Sequence, residues 1–501
     1  MTTKRIVAGT AVTYLNTGIS LLCNLILVPM YLYHLGKEQY GLWLVILSFV
    51  SYLGFSNFGI TQSVSNFVAS KNAEKDHEAI NSIVATGFWL YVIIVALAMI
   101  LILGAVLIAP LESFIKVSDS LRVVVVPVLV VSSIFFLLKL PLTIFNSTLR
   151  SLNLIYKEQL FGLLFTVIQF TGVLVVLWSG IGILGLSVVY GATGLLSGIV
   201  LCFYIHQLIP GFSVSVKYAN KAMAKKLMAP GGYFFILQLA GGLIWATDNI
   251  IISTVLGVAE VAPYAVAFRV FMLTTGVVSV ITANIIPTIT VAYALNDKQQ
   301  LTDLYAKARK LCFGFGLLAL FLLVSVGPDL MIKWIGVDNY VGNTTFRLFI
   351  AIIFVQIILW PSDAVLVGTT QHRGYALMAV CEGIINVLLS VWWVRIWGVA
   401  GVAAATLSAR LATNGWFMLY RTHVITGLGI RAFISDIVKP FVVPILGAII
   451  TIYLLNLAQF SGWYKIVVST AAIFIIFMTL FYFLSLNRNQ RIEMNKLLRF
   501  A

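Results

Sequence analysis

Long apolar stretches alternate with short polar breaks along the whole chain. Roughly 20 apolar residues carry a helix across the hydrocarbon core of a bilayer. By that measure the pattern predicts fourteen spans, near 8–33, 41–67, 83–109, 122–145, 159–179, 183–206, 231–256, 263–290, 311–328, 346–368, 375–395, 398–420, 440–459 and 465–485. The ninth is the shortest, and the loop after it has room for an extra interfacial turn. Every span is expected to be α-helical, because backbone in lipid must satisfy its own hydrogen bonds. Pro29, Gly54, Pro127, Pro141, Gly241, Pro287 and Pro361 lie inside spans, where they permit kinks and close helix contact. The run GATGLLSG from Gly191 reads as a helix–helix contact face.

The pattern also repeats. LGKEQYGLW from Leu35 is echoed by LGVAEVAPYAVAFRVF from Leu256, and PLTIFNSTLRSLN from Pro141 by PSDAVLVGTTQHRG from Pro361. Gly182 and Gly185 are matched by Gly398 and Gly401, and Tyr204 by Tyr420. These matches suggest two six-helix lobes, 1–210 and 211–425, in a parallel repeat, followed by a two-helix segment with a cytoplasmic tail, 426–501. The predicted fold class is thus an all-α integral membrane protein. Doubled bundles of this kind work by moving one half against the other around a binding site, so the pattern points to a transporter.

Composition sharpens this picture. Of 501 residues, 61% are hydrophobic and 10% charged, against about 45–50% and about 25% in soluble domains. Cys23, Cys202, Cys312 and Cys381 sit in or beside apolar stretches without metal-binding spacing and read as packing residues. Lys4 and Arg5 precede an apolar run too long for a cleavable leader, so a retained first span is expected. Of the 32 Lys and Arg, 22 fall on the side that holds both termini, seven on the other side and three inside spans. The positive-inside rule then predicts both termini in the cytoplasm of a multi-pass protein. It also explains the net charge of +15 without nucleic acid. The basic stretch Arg488 to Arg499 reads as a headgroup anchor.

Several functions are disfavoured. The sequence has no phosphate-loop motif for ATP, no metal-spaced cluster and no nucleophile triad, so neither an enzyme nor a cofactor is expected. His34, His77, His206, His372 and His423 lie at span ends or in loops, which argues against an imidazole proton relay at mid-membrane.

Six ionisable residues do lie inside spans: Lys139, Asp248, Arg269, Asp363, Glu382 and Arg410. Each costs about 2.5–3.5 kcal/mol at a helix centre, so each is expected to face a cavity or a partner. Asp248 lies about 12 Å, and Arg269 about 9 Å, from the outer ends of adjacent spans. They are a candidate pair, either a structural lock or a cavity lining. Asp363 and Glu382 both fall in the inner half; if they meet, one carboxyl would hold its proton more tightly and could carry it, the alternative being that Asp363 is simply solvated at its helix end. Arg410 is near the middle of span twelve, where a cavity role is favoured over a structural partner. Lys139 either binds a ligand or snorkels to the interface. Trp43, Trp178, Trp392, Trp393, Trp397 and Trp463 read as interface anchors. Asn16, Asn24, Asn57, Gln62, Gln169, Gln238, Gln356 and Asn386 could bind sugar hydroxyls or bridge helices, bridging being the commoner use.

The opening block, from GTAVTYLNTGISLL through LGKEQYGLWLVILSFVSYLGFSNFGI, resembles the Wzx-type polysaccharide flippases. These belong to the multidrug/oligosaccharidyl-lipid/polysaccharide (MOP) exporter superfamily. The block DNIIISTVLGVAEVAPYAVAFRV and the run GVAGVAAAT are similar to its second-half signatures. The resemblance implies two six-helix lobes around a V-shaped cavity, two extra carboxyl-terminal helices, alternating access and an undecaprenyl-diphosphate-linked oligosaccharide as cargo, such as an O-antigen repeat unit. One departure is Asn57, where many relatives carry Asp, so no proton role transfers to that position. Arg269, Arg410 and Lys139 suit an anionic lipid diphosphate, with the arginines offering forked donors. Asp248, Asp363 and Glu382 are candidates for coupling to a proton or sodium gradient. The expected partners are the lipid-linked glycan, membrane lipids and other polysaccharide-assembly proteins. Rival readings are a multidrug or cation antiporter of the same superfamily, a carrier of the lipid-linked peptidoglycan precursor, or a membrane glycan polymerase or glycosyltransferase.

Overall fold

The computed structural model describes residues 3–108, 112, 114–209, 211–229, 231–458, 460–488 and 490–492. Among them there is no strand, and every predicted span corresponds to helix. The chain divides into two compact units, Met1–Ala262 and Pro263–Ala501.

The first unit holds α1 (Thr3–Leu53), α2 (Ile60–Ala73), α3 (His77–Ile108), α4 (Asp119–Lys139), α5 (Thr143–Ser151), α6 (Ile155–Ser179), α7 (Ile183–Leu208), α8 (Lys221–Met228), α9 (Gly231–Trp245) and α10 (Thr247–Val255). Spans one and two share α1, which is broken at Gly36, where φ is 71° and ψ 175°. Glycine reaches that left-handed region without the steric penalty of a side chain. Span two breaks again at the 3-10 turn Gly54–Asn57 before α2. The backbone groups released there are satisfied by Tyr91, which is fully buried: its hydroxyl donates to the Asn57 carbonyl at 3.3 Å and accepts from the Thr61 amide at 3.2 Å. Asn57 Oδ1 shares that hydroxyl's one proton, so the Asn57 side chain helps hold a helix break. Pro141 separates α4 from α5, as its missing N–H leads one to expect.

The second unit holds α11 (Val261–Ala294), whose first two residues belong to the first unit, then α12 (Lys298–Ile335), α13 (Asn343–Gly368), α14 (His372–Trp397), α15 (Val399–Ala412), α16 (Asn414–Thr426), α17 (Ile430–Phe433), α18 (Lys439–Leu457) and α19 (Gly462–Leu480). The ninth span, expected to be the shortest, lies within the 38-residue α12. Its apolar core is short, but the amphipathic segment Lys298–Lys310 continues the same helix beyond it. A 3-10 turn, Val337–Asn339, follows α12 where an extra turn was expected. Short π-helical segments, Ile434–Val438 and Phe481–Ser485, flank α18 and end α19.

Among the described residues, eleven helices are long and apolar enough to cross a membrane. One of them carries spans one and two, while spans seven and twelve are divided at Ala246 and Thr413 into shorter helices. Fourteen crossings are consistent with this arrangement. Burial is inverted relative to a soluble protein: Ile100, Leu101 and Leu107 are 67%, 73% and 85% exposed, while Glu382 and Asp248 are 1% and 3% exposed. A lipid solvent produces that inversion.

The units divide at Ala262, where α10 still packs on α1 of the first unit; the lobe boundary was expected at 210. Asn249 Nδ2 donates to Ser48 Oγ at 3.0 Å, and Gly41 leaves no room for a side chain beside the Val258 carbonyl. The backbone of Lys116 exchanges hydrogen bonds with Ser253 and Val258, both at 3.1 Å. The last two spans join the second unit through Phe313, Phe441 and Phe481 and through Lys465–Asp329 at 2.6 Å.

Within the first unit the glycine run of α7 meets α4 as expected. A side chain at Gly191 would collide with Phe135, and one at Gly198 with Leu142. Trp43 departs from its expected place at the interface: it is 2% exposed and packs on Tyr190 at 5.5 Å. Trp178, Trp392, Trp397 and Trp463 are exposed, as anchors should be. Of the basic carboxyl-terminal stretch, Lys496 and Arg499 lie outside the described residues, while Arg491 Nη2 and Nε donate to the Phe483 and Leu486 carbonyls.

Candidate functional site

In each unit a group of polar side chains is set among the helices around a charge that the sequence singled out. In the second unit, α14 and α15 form an antiparallel hairpin closed by Gly398, whose φ is 59°. Gly401 lies against the Trp393 backbone, where any side chain would collide, so the two helices approach closely. In this register Asn386 faces Thr406 and Glu382 faces Arg410.

Arg410 Nε and Nη2 both donate to Glu382 Oε1 at 2.8 Å. Glu382 Oε2 accepts from Asn414 Nδ2 at 2.8 Å and from Thr413 Oγ1 at 3.4 Å. These last two partners are in place because the chain breaks at Thr413 (φ −122°, ψ −96°), between α15 and α16. Arg410 Nη1 donates to Gln356 Oε1 on α13. Asp363, also on α13, accepts from the Tyr375 hydroxyl and lies within electrostatic reach of Arg410. The carboxylate side chain is 1% exposed and the guanidinium side chain 9%, so this is a desolvated, hydrogen-bonded ion pair.

Asp363, Glu382 and Arg410 are therefore brought into one network. Arg410, a candidate from the sequence for a cargo phosphate, directs its fork at Glu382 and Gln356. The physical reason is register: an acid directly across the hairpin pairs with the buried guanidinium, which removes the cost of leaving that charge desolvated and alone. Tyr375, Thr413 and Asn414 were not singled out in the sequence. Tyr375 precedes Glu382 by seven residues, a same-face helical spacing that could have revealed it. Thr413 and Asn414 reach Glu382 only because of a helix break that carries no proline.

In the first unit Lys139 ends α4 and lines a recess of about 140 Å³ with Trp43, Phe135, Ser132, Ser187 and Tyr190. Its stem runs beside Gly194 of α7, where an added Cβ would stand 3.0 Å from Cδ and 3.5 Å from Nζ. Ser132 Oγ donates to Ser187 Oγ at 2.9 Å, and the Tyr190 hydroxyl pairs with that of Tyr31 at 2.9 Å. No carboxylate lines the recess, and among the described residues Lys139 forms no ion pair. Asp248 is buried on α10 of the first unit, and Arg269 is half-buried on α11 of the second. Neither belongs to the Glu382 network or to the Lys139 recess as these are described. Most of the neutral polar residues bridge helices or bond within one, as Asn16 does to Gln159 at 2.9 Å and Asn386 to Thr406 at 3.3 Å.

The family model described as "Polysaccharide biosynthesis protein" matches residues 6–292. No curated protein matches the chain. Among solved structures, the lipid II flippase MurJ in an inward closed conformation is 16% identical, with a TM-score of 0.71 over 94% of this chain and 98% of that one. An inward-facing multidrug resistance MATE family transporter of the MOP superfamily is 14% identical, with a TM-score of 0.69 over 82% and 96%. A MOP superfamily transporter from Pyrococcus furiosus, described by a reversed polarity of its binding pocket, is 14% identical, with a TM-score of 0.55 over 84% and 94%. At these identities the likeness shows the fold, that of MOP transporters.

Proposed function

Given that the chain belongs to the polysaccharide biosynthesis protein family of MOP-type transporters, we propose that it flips an undecaprenyl-diphosphate-linked oligosaccharide across a bacterial cytoplasmic membrane by alternating access. The observation that carries this reading is the contrast between the two polar groups. Among the described residues Lys139 forms no ion pair, and it is set in a recess with aromatic rings and hydroxyls. An ammonium so placed attracts a diphosphate, while the neighbouring hydroxyls can bond to its oxygens. In the second unit the positive charge is already neutralised, and Asp363 leaves the group with one more acid than base. That surplus suits a coupling cation rather than an anionic cargo, so Asp363 and Glu382 are assigned to ion coupling and Arg410 to holding Glu382. Lys139 becomes the leading cargo contact, with Arg269 as a second.

The test is deletion of the protein followed by analysis of lipid-linked glycans. The oligosaccharide-lipid should accumulate on the cytoplasmic face, wild-type protein should clear it, and Lys139→Ala should not. Unchanged glycans together with altered sensitivity to cationic drugs would favour the multidrug reading instead.

A further inference from the structure

A second anion-seeking feature lies apart from both polar groups, at the end of the second unit that the Lys and Arg distribution assigns to the cytoplasm. A recess of about 400 Å³ is lined by Gln371, Arg373, Gly374, Phe417 and Arg421. No carboxylate lines it, and neither guanidinium enters an ion pair among the described residues. Arg421 Nη2 donates to Gln371 Oε1 at 2.5 Å, and Gln371 Nε2 donates in turn to the Tyr293 hydroxyl at 3.3 Å. This relay orients the Arg421 fork and uses only one of its five N–H groups. A Cβ at Gly374 would stand 2.7 Å from Phe417 Cζ, so the glycine is what lets the ring lie against the start of α14.

Two guanidiniums on one recess repel each other unless an anion lies between them, and their planar forks match phosphate oxygens. A topology signal alone would need neither a shared recess nor a side-chain relay to orient one arginine. The recess stands at span ends, the level of the lipid phosphates. We propose that it is a binding site for a lipid-borne phosphate, formed by Arg373 and Arg421, with Phe417 beneath the ester. The lipid is either a resident anionic phospholipid or a polyprenyl diphosphate, and this site does not depend on Lys139 or on the cargo.

The experiment uses the full chain purified in neutral detergent and titrated with short-chain phosphatidylglycerol, farnesyl diphosphate or inorganic pyrophosphate, with bound molecules counted by native mass spectrometry. R373Q/R421Q should weaken binding of the preferred lipid phosphate by about tenfold or more. R421K, which keeps the charge and loses the fork, should be intermediate. G374L, which fills the recess with both arginines present, should also weaken binding, while the distant R395Q should not. Preference for phosphatidylglycerol assigns the site to a resident lipid, and preference for farnesyl diphosphate assigns it to a polyprenyl lipid. Equal binding by wild type and R373Q/R421Q, equal loss in R395Q, or binding of pyrophosphate alone would overturn the proposal.

Discussion

Arg410 and Lys139 are two basic side chains set inside membrane helices, and they end in opposite circumstances. Across its hairpin Arg410 meets Glu382, whereas the recess of Lys139 contains no acid. Removing one partner of a buried pair strands the other charge, at a cost of about 3–5 kcal/mol. Arg410→Ala should therefore lower thermal stability in detergent by that order, and Glu382→Gln combined with Arg410→Met should recover much of the loss. A single variant as stable as wild type would contradict the pairing. Lys139→Ala should behave differently, leaving the unfolding temperature nearly unchanged while export falls, with partial function in Lys139→Arg. Both residues were legible in the sequence as expensive intramembrane charges, but their fates were not. The partner of Arg410 lies 28 residues away and faces it only because Gly398 and Gly401 set the register of a close hairpin.

At the level of helices, hydropathy located the spans because lipid demands apolar length, but it could not show where spans break. Only the break between α4 and α5 carries a proline; those at Ala246 and Thr413 do not. What makes a break tolerable is a side chain that takes up the freed backbone groups, as Tyr91 does for the turn ending at Asn57. Tyr91→Phe should cost about 1–3 kcal/mol in thermal unfolding, the price of leaving a buried polar group unsatisfied. No loss of stability would mean that the hydroxyl is not needed there. Gly198→Leu should force α7 away from Leu142 and lower stability by about 1–3 kcal/mol, while Gly104→Leu, with nothing within 4 Å of its Cβ position, should be tolerated.

For the whole chain, the doubled pattern and the distribution of basic residues gave the fold class, and the match over residues 6–292 places the chain in its family. The direction of insertion is open to a simple check: reporters fused after spans of even number should face the cytoplasm, and those fused after spans of odd number the outside. The role of the Lys139 recess rests on placement and charge, so it is best tested with purified components. Wild-type protein, Lys139→Ala and Lys139→Arg would be placed in vesicles with a diphosphate-linked oligosaccharide lipid on one leaflet, and its appearance on the other leaflet followed with time. Wild type should speed the transfer, Lys139→Arg should retain much of it, and Lys139→Ala should fall close to empty vesicles. Equal rates for wild type and Lys139→Ala, or no transfer by wild type, would contradict the assignment.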